Sequence, residues 1–553
     1  MKRGIFFILF FAALFSSFAQ DLDRELPVSW TLNLRNDISP IELPPIDLAG
    51  IAVEDSINDL DKSIPWRYGL ARPIVLNLQN DGTWTDLDNG DRIWQVAIKS
   101  PQAINMSVNF EDFYLPEGAR LHLYNEDRTD ISRTYSNSEN RDNKRLASWF
   151  VTGETIFVEY FEPQNISETV ELQIGSIIHG YRINRVADYI DGTTRGLNDS
   201  DACNYDVNCS IGDDFDSKKD MVKKAVALLN LGNGFLCSAA LMNNTAEDKR
   251  PLLLTANHCL ESSDPSLWVI RFNWMSPNPI CGNEDESNDI QTNFTMSGAE
   301  LLASNEQSDF ALVEMQNKVP SSWDVTFAGW DSSDDLPEFE VGIHHPSGDI
   351  MKICRDDSGA VRENANGVDV WLIGGVSVGA GDGWEIGTTE SGSSGSPLFN
   401  ENGHVIGQLY AGQSSCSGTE NNNDYDIYGR FGVSWNAGSS QEDRLMEWLD
   451  PIGSGQTILE SKENILGVPD IDLEGQVQIY PNPASTTISI MNGRYPSLVY
   501  NLYTMVGQKV MGGPLSSTLN QINVEALSQG IYILHLIDKD SNADITKKII
   551  IEK

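Results

Sequence analysis

The chain has 553 residues, with 80 acidic against 38 basic side chains and a formal net charge of −42. That length exceeds what one hydrophobic core serves, so several domains are expected. A field of that sign repels phosphate backbones and argues against a nucleic-acid binder.

In chain order, Met1-Lys2-Arg3, the apolar run Ile5–Phe15 and the small-x-small site Ser17-Phe18-Ala19 predict a secretory signal peptide over 1–19. No later stretch holds eighteen consecutive apolar residues, so no transmembrane segment is expected in the mature protein. From 20 to 195, short runs such as "RIWQVAIKS", "INMSVNF", "ARLHLYN", "ETIFVEYF" and "VELQIGSI" alternate apolar and polar residues. Period-2 alternation bounded by turn residues predicts a β-sandwich. The polar stretch "DYIDGTTRGLNDSDAC" suits a boundary. From 196 to 455 strand patterns continue in "LWVIRFNW", "DFALVEM", "HVIGQLYAG" and "YGRFGVSW". This block closes in "SSQEDRLMEWLDP", where Ser439 or Ser440 can cap a helix that Pro451 stops. A polar linker is expected over 456–472. A small all-β sandwich follows over 473–553, built from "VQIYPNP", "TTISIMNG", "GIYILHLI" and "KKIIIEK".

Export permits disulfides, and all seven cysteines lie between 203 and 416. The odd count leaves at least one unpaired within the chain. No pair shows C-x2-C spacing, so disulfides are preferred to zinc and no metal is expected.

Three segments of the middle block combine into one chemistry. "LLLTANHCL" carries His258, "SNEQSDFALVEM" carries Asp309 at the head of an apolar strand, and "ESGSSGSPLFN" carries Ser394. Hydrolysis of an amide needs a hydroxyl to attack, an imidazole to move its proton, and a carboxylate to orient the imidazole. Glycines around Ser394 permit a tight turn that can aim the backbone N–H groups of Gly392 and Ser394 at an oxyanion. The order His, Asp, Ser is that of chymotrypsin-type enzymes. Each piece alone reads equally as a turn, a strand cap or a buried histidine; their order in one exported β region favours a protease.

The same block resembles the bacterial lysyl endopeptidases, a branch of the chymotrypsin-like serine proteases. The matching segments are "CNYDVNC", "AVALLN", "LCSAALMNNTAEDK", "LTANHC", "SDFALVEM", "FAGWD", "IHHPSGD", "SGSSGSPLF", "GQLYAGQSSCS" and "DIYGRFGVSW". The resemblance implies a mainly β, double-β-barrel enzyme that cuts after lysine without a cofactor. It implies His258 as base, Asp309 as orienter and Ser394 as nucleophile. It also implies the disulfides Cys203–Cys416, Cys209–Cys281 and Cys237–Cys259, with Cys354 outside the pattern. Substrates would be proteins or peptides.

Trypsin carries its pocket carboxylate six residues before the serine, and that position here is Thr388. The family resemblance places the carboxylate at Asp426, with Glu390 the next candidate. It further places a tryptophan beside the triad at Trp371, with Trp384 close by, and puts Tyr410 where the family has a histidine. His344-His345 is read as structural, and Glu284-Asp285-Glu286 as a solvated acidic run, with loose calcium binding the alternative. Ser393 precedes the nucleophile where vertebrate zymogens use aspartate, so residues 20–195 look like a propeptide, with Arg195-Gly196 the favoured maturation bond. The tail, through "IYPNPAS", "YNLYTMVGQKV" and "LSQGIYIL", resembles type IX secretion sorting domains and implies that machinery as a partner, with delivery to the medium or outer surface. Two alternatives stay open: a broader Lys/Arg specificity, and a silent surface-binding protein on a protease fold.

Overall fold

The structure is a computed structural model describing residues 25–34, 38–166, 168–183, 200–283, 294–375, 383–422, 424–464, 477–492, 498–505, 508–515, 519–538 and 544–553. The expected signal peptide, the Arg195-Gly196 bond and the Glu284–Glu286 run lie outside them. The chain is mainly β and divides into two compact units, Met1–Asn464 and Ile465–Lys553.

Within the first unit, the N-terminal region forms two sheets over a shared core. One holds Ile41–Glu42, Arg92–Lys99, Thr155–Glu162 and Arg120–Asn125, and the other Gly69–Asn77, Glu171–Gly180, Asn105–Tyr114 and Leu146–Ala147. Alternate residues meet between them, Trp94, Val96 and Ile98 from one sheet against Val108, Phe110, Ile174 and Ile177 from the other. The second face of the first sheet is buried too, because Trp30 and Ile38 cover Ala97, Tyr124 and Phe157. Strand periodicity did not anticipate the helix Leu48–Asn58, which Asp47 caps by accepting from the Gly50 amide at 3.2 Å.

The middle region has an eight-stranded and a ten-stranded sheet. The strands Val226–Asn230, Phe235–Met242, Leu252–Ala256, Val269–Phe272 and Phe310–Met315 build the first, a half-barrel. Period-2 alternation divides its side chains. Ala239, Leu241, Leu253 and Val313 enter its own core. Ala240, Met242, Leu252, Leu254 and Leu312 face the opposite way, against Val341, Ile343, Ile353 and Phe399 of the second sheet. Such two-faced burial explains why these strands read as nearly continuous apolar runs. Trp66–Arg67 of the N-terminal region adds to the half-barrel by pairing with Leu236 and Phe235.

Two boundary expectations change. Ser440 caps as predicted, in a reciprocal box with Asp443, but Arg444 is extended. The closing helix is therefore a 3-10 turn, Gln441–Asp443, followed by the single turn Met446–Leu449. The linker expected from 456 starts later. Ile458–Leu459 pairs with Trp330–Asp331, and Lys462–Glu463 with Thr326–Phe327. Asn464 Nδ2 donates to the Val319 carbonyl at 3.0 Å. Backbone pairing outweighs the polar composition that suggested a loose segment.

The second unit holds a three-stranded sheet, Val477–Tyr480, Thr487–Asn492 and Leu519–Asn523. A four-stranded sheet contains Lys509–Pro514, Leu498–Thr504, Gly530–Asp538 and Asp544–Ile551. Its core gathers Ile488, Ile490, Leu502, Leu534, Leu536 and Ile549.

Candidate active site

The histidine and aspartate are brought together by strand pairing. Leu252–Ala256 runs antiparallel to Phe310–Met315, with Ala256 opposite Phe310. His258, in the 3-10 turn Asn257–Leu260, therefore lies across from Asp309. Asp309 Oδ2 meets His258 Nδ1 at 2.8 Å, and Asp309 Oδ1 accepts the His258 backbone amide at 3.0 Å. Asp309 has a φ of 52°, an uncommon backbone conformation for a non-glycine residue. It is secured there by Asn257 N–H and Gln408 Nε2, which both donate to its carbonyl. Nδ1 is engaged by the carboxylate, and Nε2 has no hydrogen-bond partner among the described residues.

Ser394 arrives from the other sheet, in the loop before Pro397–Asn400. Ser238 pins that loop to the half-barrel. Its amide donates to the Ser394 carbonyl at 2.8 Å and its hydroxyl to the Gly392 carbonyl at 3.0 Å. Glycine is required at 395, where φ is 80° and a Cβ would lie 2.1 Å from Thr255 Oγ1. Cys237–Cys259, with Cα atoms 6.5 Å apart, ties the histidine turn to the Ser238 strand. Cys203–Cys416 and Cys209–Cys281 also form, and Cys354 is free and buried. Three disulfides expected from the resemblance are thus present.

Asp426 opens the strand Asp426–Arg430 and is fully buried. Its Oδ2 accepts from Trp384 Nε1 at 2.7 Å, Thr389 Oγ1 at 2.7 Å and Ser414 Oγ at 2.6 Å. Its Oδ1 accepts from the ammonium of Lys62, at 2.9 Å. The same ammonium donates to Thr389 Oγ1 and Ser414 Oγ, each at 2.8 Å. Thr388 donates to Ser414 Oγ and closes the network. Three ammonium donors meet three acceptors in a buried slot, the arrangement a buried charge requires. At the other end of the same residue, Ser394 Oγ donates to the Lys62 carbonyl oxygen at 2.9 Å. Lys62 therefore spans the distance from Asp426 to Ser394.

Other predicted residues fall as follows. Tyr410 lies beside His258, with ring centroids 6.2 Å apart. Burial, then the charges of Asp309 and Asp61, raise its phenol above the ordinary range. Trp371 is buried with its N–H on the Ile406 carbonyl, while its strand neighbours Val370 and Leu372 line a cleft of about 510 Å³ with Tyr410, Leu60, Asp61 and Ser63. One residue of strand register separates cleft from interior, and Trp384 is the tryptophan that reaches Asp426. Glu390 is occupied elsewhere, accepting from the Asp201 amide, Asn204 and Ser347. Burial and the neighbouring Asp201 push its carboxyl up.

His344 and His345 support the loop from below. His344 Nδ1 bonds Ser393 Oγ at 2.8 Å, and His345 Nδ1 takes the Asp349 carbonyl at 2.9 Å. Burial drives the first well below the ordinary histidine range and the second down to about 4, so both are neutral. Sequence reasoning missed Lys62, Thr389 and Ser414. Between 20 and 195 the lysines are Lys62, Lys99 and Lys144. Nothing local distinguishes the first, although Lys99 and Lys144 pair with Glu154 and Glu171 at the surface.

Residues 197–429 match the family model described as lysyl endopeptidase, C-terminal domain. Residues 478–552 match the secretion system C-terminal sorting domain. The chain is 26% identical over 360 residues to a lysyl endopeptidase of Pseudomonas aeruginosa, covering 62% of this chain and 74% of that protein. Among solved structures, a biofilm associated protein BSP domain aligns over 88% of this chain and 81% of its own, at 9% identity and a TM-score of 0.16, too low to carry an argument about fold. The two family matches put a protease-related segment ahead of a tail that directs type IX secretion and surface attachment. Among the described residues no helix is long and apolar enough to cross a membrane.

Proposed function

We propose that this chain, which belongs to the lysyl endopeptidase family and carries a type IX sorting tail, is a secreted serine endopeptidase cutting on the carboxyl side of lysine. One observation carries the reading: a lysine of the chain itself occupies the slot, its ammonium on Asp426 and its carbonyl on the Ser394 hydroxyl. This lays the bond after a lysine beside the Ser394 hydroxyl with the side chain in the slot. In the reaction His258 Nε2 takes the Ser394 proton as Oγ bonds to the carbonyl carbon, and Asp309 holds the imidazolium. Backbone N–H groups of Gly392 and Ser394 receive the oxyanion. His258 then protonates the departing amine, and water releases the acyl group by the same steps reversed.

Lysine is favoured over arginine because the ammonium already touches Asp426, Thr389 and Ser414 directly. A guanidinium is longer and planar, and would need a deeper floor. The silent-binder alternative has no use for a histidine with an aligned carboxylate and a free Nε2. In this reading 196–455, extended to Asn464, is a double-barrel catalytic domain and 20–195 its propeptide. Digestion of a denatured protein mixture by the matured enzyme, with peptide termini read by mass spectrometry, tests it. Lysine at nearly all new carboxyl ends supports the reading, equal lysine and arginine supports the broader alternative, and no cleavage refutes both.

A further inference from the structure

Lys62 belongs to a segment held on both sides of the active site. Upstream, Ser391 Oγ donates to the Asp59 carbonyl at 3.0 Å, and Arg182 pairs with the Asp59 carboxylate at 2.8 Å. Downstream, Trp66 and Arg67 are a strand of the half-barrel, opposite Leu236 and Phe235, and the Tyr68 amide donates to the Gly234 carbonyl. Between these anchors the chain makes a turn, Ile64 N–H donating to the Asp61 carbonyl at 3.1 Å. The Ser63 amide and hydroxyl both donate to Asp61 Oδ1, at 3.0 and 2.5 Å.

Resting on the lysine reading of the slot, we infer that Asp59–Ile64 is a built-in inhibitor that imitates a substrate and resists being one. Hydrolysis of Lys62–Ser63 would join Ser394 Oγ to the Lys62 carbonyl carbon, break the C–N bond, and give Ser63 its amine proton through His258. Water would then add hydroxyl to the acyl carbon, leaving a Lys62 carboxylate. Two features oppose this. The Ser394 hydroxyl donates to the carbonyl oxygen, while His258 Nε2 has no partner among the described residues. The departing Ser63 nitrogen is tethered to Asp61 and held in register by Trp66–Arg67, so it stays placed to re-form the bond before water enters. The enzyme is thereby latent until the segment is removed, without the new-terminus switch that Ser393 rules out.

The test uses the full-length chain and two variants, Lys62→Met, which keeps the length and empties the slot of charge, and Asp61→Ala, an exposed change that releases Ser63. Labelling by a small fluorophosphonate measures access to Ser394, and intact mass measures self-cleavage. Lys62→Met is expected to label at least about 100-fold faster than the parent, the scale of losing a buried charged anchor. Asp61→Ala is expected to gain a Ser63 amino terminus that disappears when Ser394→Ala is added. Unchanged labelling of Lys62→Met, or steady accumulation of the Ser63 terminus in the parent, would overturn the inference. Peptide termini generated by Lys62→Met separate this from the lysine reading: faster labelling with cleavage elsewhere than after lysine refutes the specificity and leaves the inhibitor standing.

Discussion

Replacing Asp426 by asparagine keeps the shape of the slot and removes its charge. Oδ2 accepts from three donors, Trp384, Thr389 and Ser414, so the new amide nitrogen cannot sit there without opposing all three. It must take the Oδ1 position, which faces the lysine ammonium at 2.9 Å. Donor then meets donor in a buried site. Breaking one partner of such a buried pair costs about 3–5 kcal/mol. At about 1.36 kcal/mol per decade, kcat/KM on lysyl peptides should fall roughly 150- to 5,000-fold. The matured variant would be assayed on a lysyl peptide amide, with a small sulfonyl fluoride titrating Ser394 to confirm that the serine chemistry survives. A variant that titrates fully and keeps kcat/KM within about tenfold of the parent would show that Asp426 is not the recognition group.

Four further outcomes are expected. Ser394→Ala should secrete with its three disulfides intact and lose activity by a factor on the order of 10^4 or more, measured by steady-state amidase assay. Gly412→Ala should abolish lysyl cleavage while leaving sulfonyl fluoride titration in place, because a Cβ there would stand 1.9 Å from Asp426 Oδ1. Asp356, buried opposite Glu340 on the neighbouring strand, is raised by burial to about 6, above its ordinary 3.8. The folded state therefore holds the extra proton, and stability falls as pH rises from about 4 to 6. Asp356→Asn should flatten that slope in a melting-versus-pH series and gain at most about 3 kcal/mol at pH 8. Truncation after Asn464 should give active enzyme retained in the host periplasm, whereas truncation at 455 should lower the melting temperature by removing the strands Ile458–Leu459 and Lys462–Glu463; cell fractionation and thermal melts check both.

The amino-acid sequence was sufficient for the features that repeat locally or sit in contiguous motifs. Period-2 alternation marked Arg92–Lys99 and Asn105–Tyr114 as strands, since a pleated backbone sends neighbouring side chains to opposite faces. The segments around His258, Asp309 and Ser394 supplied the candidate groups of the proposed chemistry, because proton transfer restricts which side chains can serve. Tertiary structure decided what depends on register and on distant partners. Trp371 lies in the interior while its strand neighbours Val370 and Leu372 line the cleft, and a one-residue difference on a strand is invisible to composition. Ser414 and Thr389 become acceptors for an ammonium only when their loops converge on Asp426. Lys62 stands 332 positions from the serine it covers. No spacing rule relates two residues so far apart; the contacts of Asp59 with Ser391 and Arg182 and the pairing of Trp66–Arg67 with the half-barrel carry that lysine into the slot.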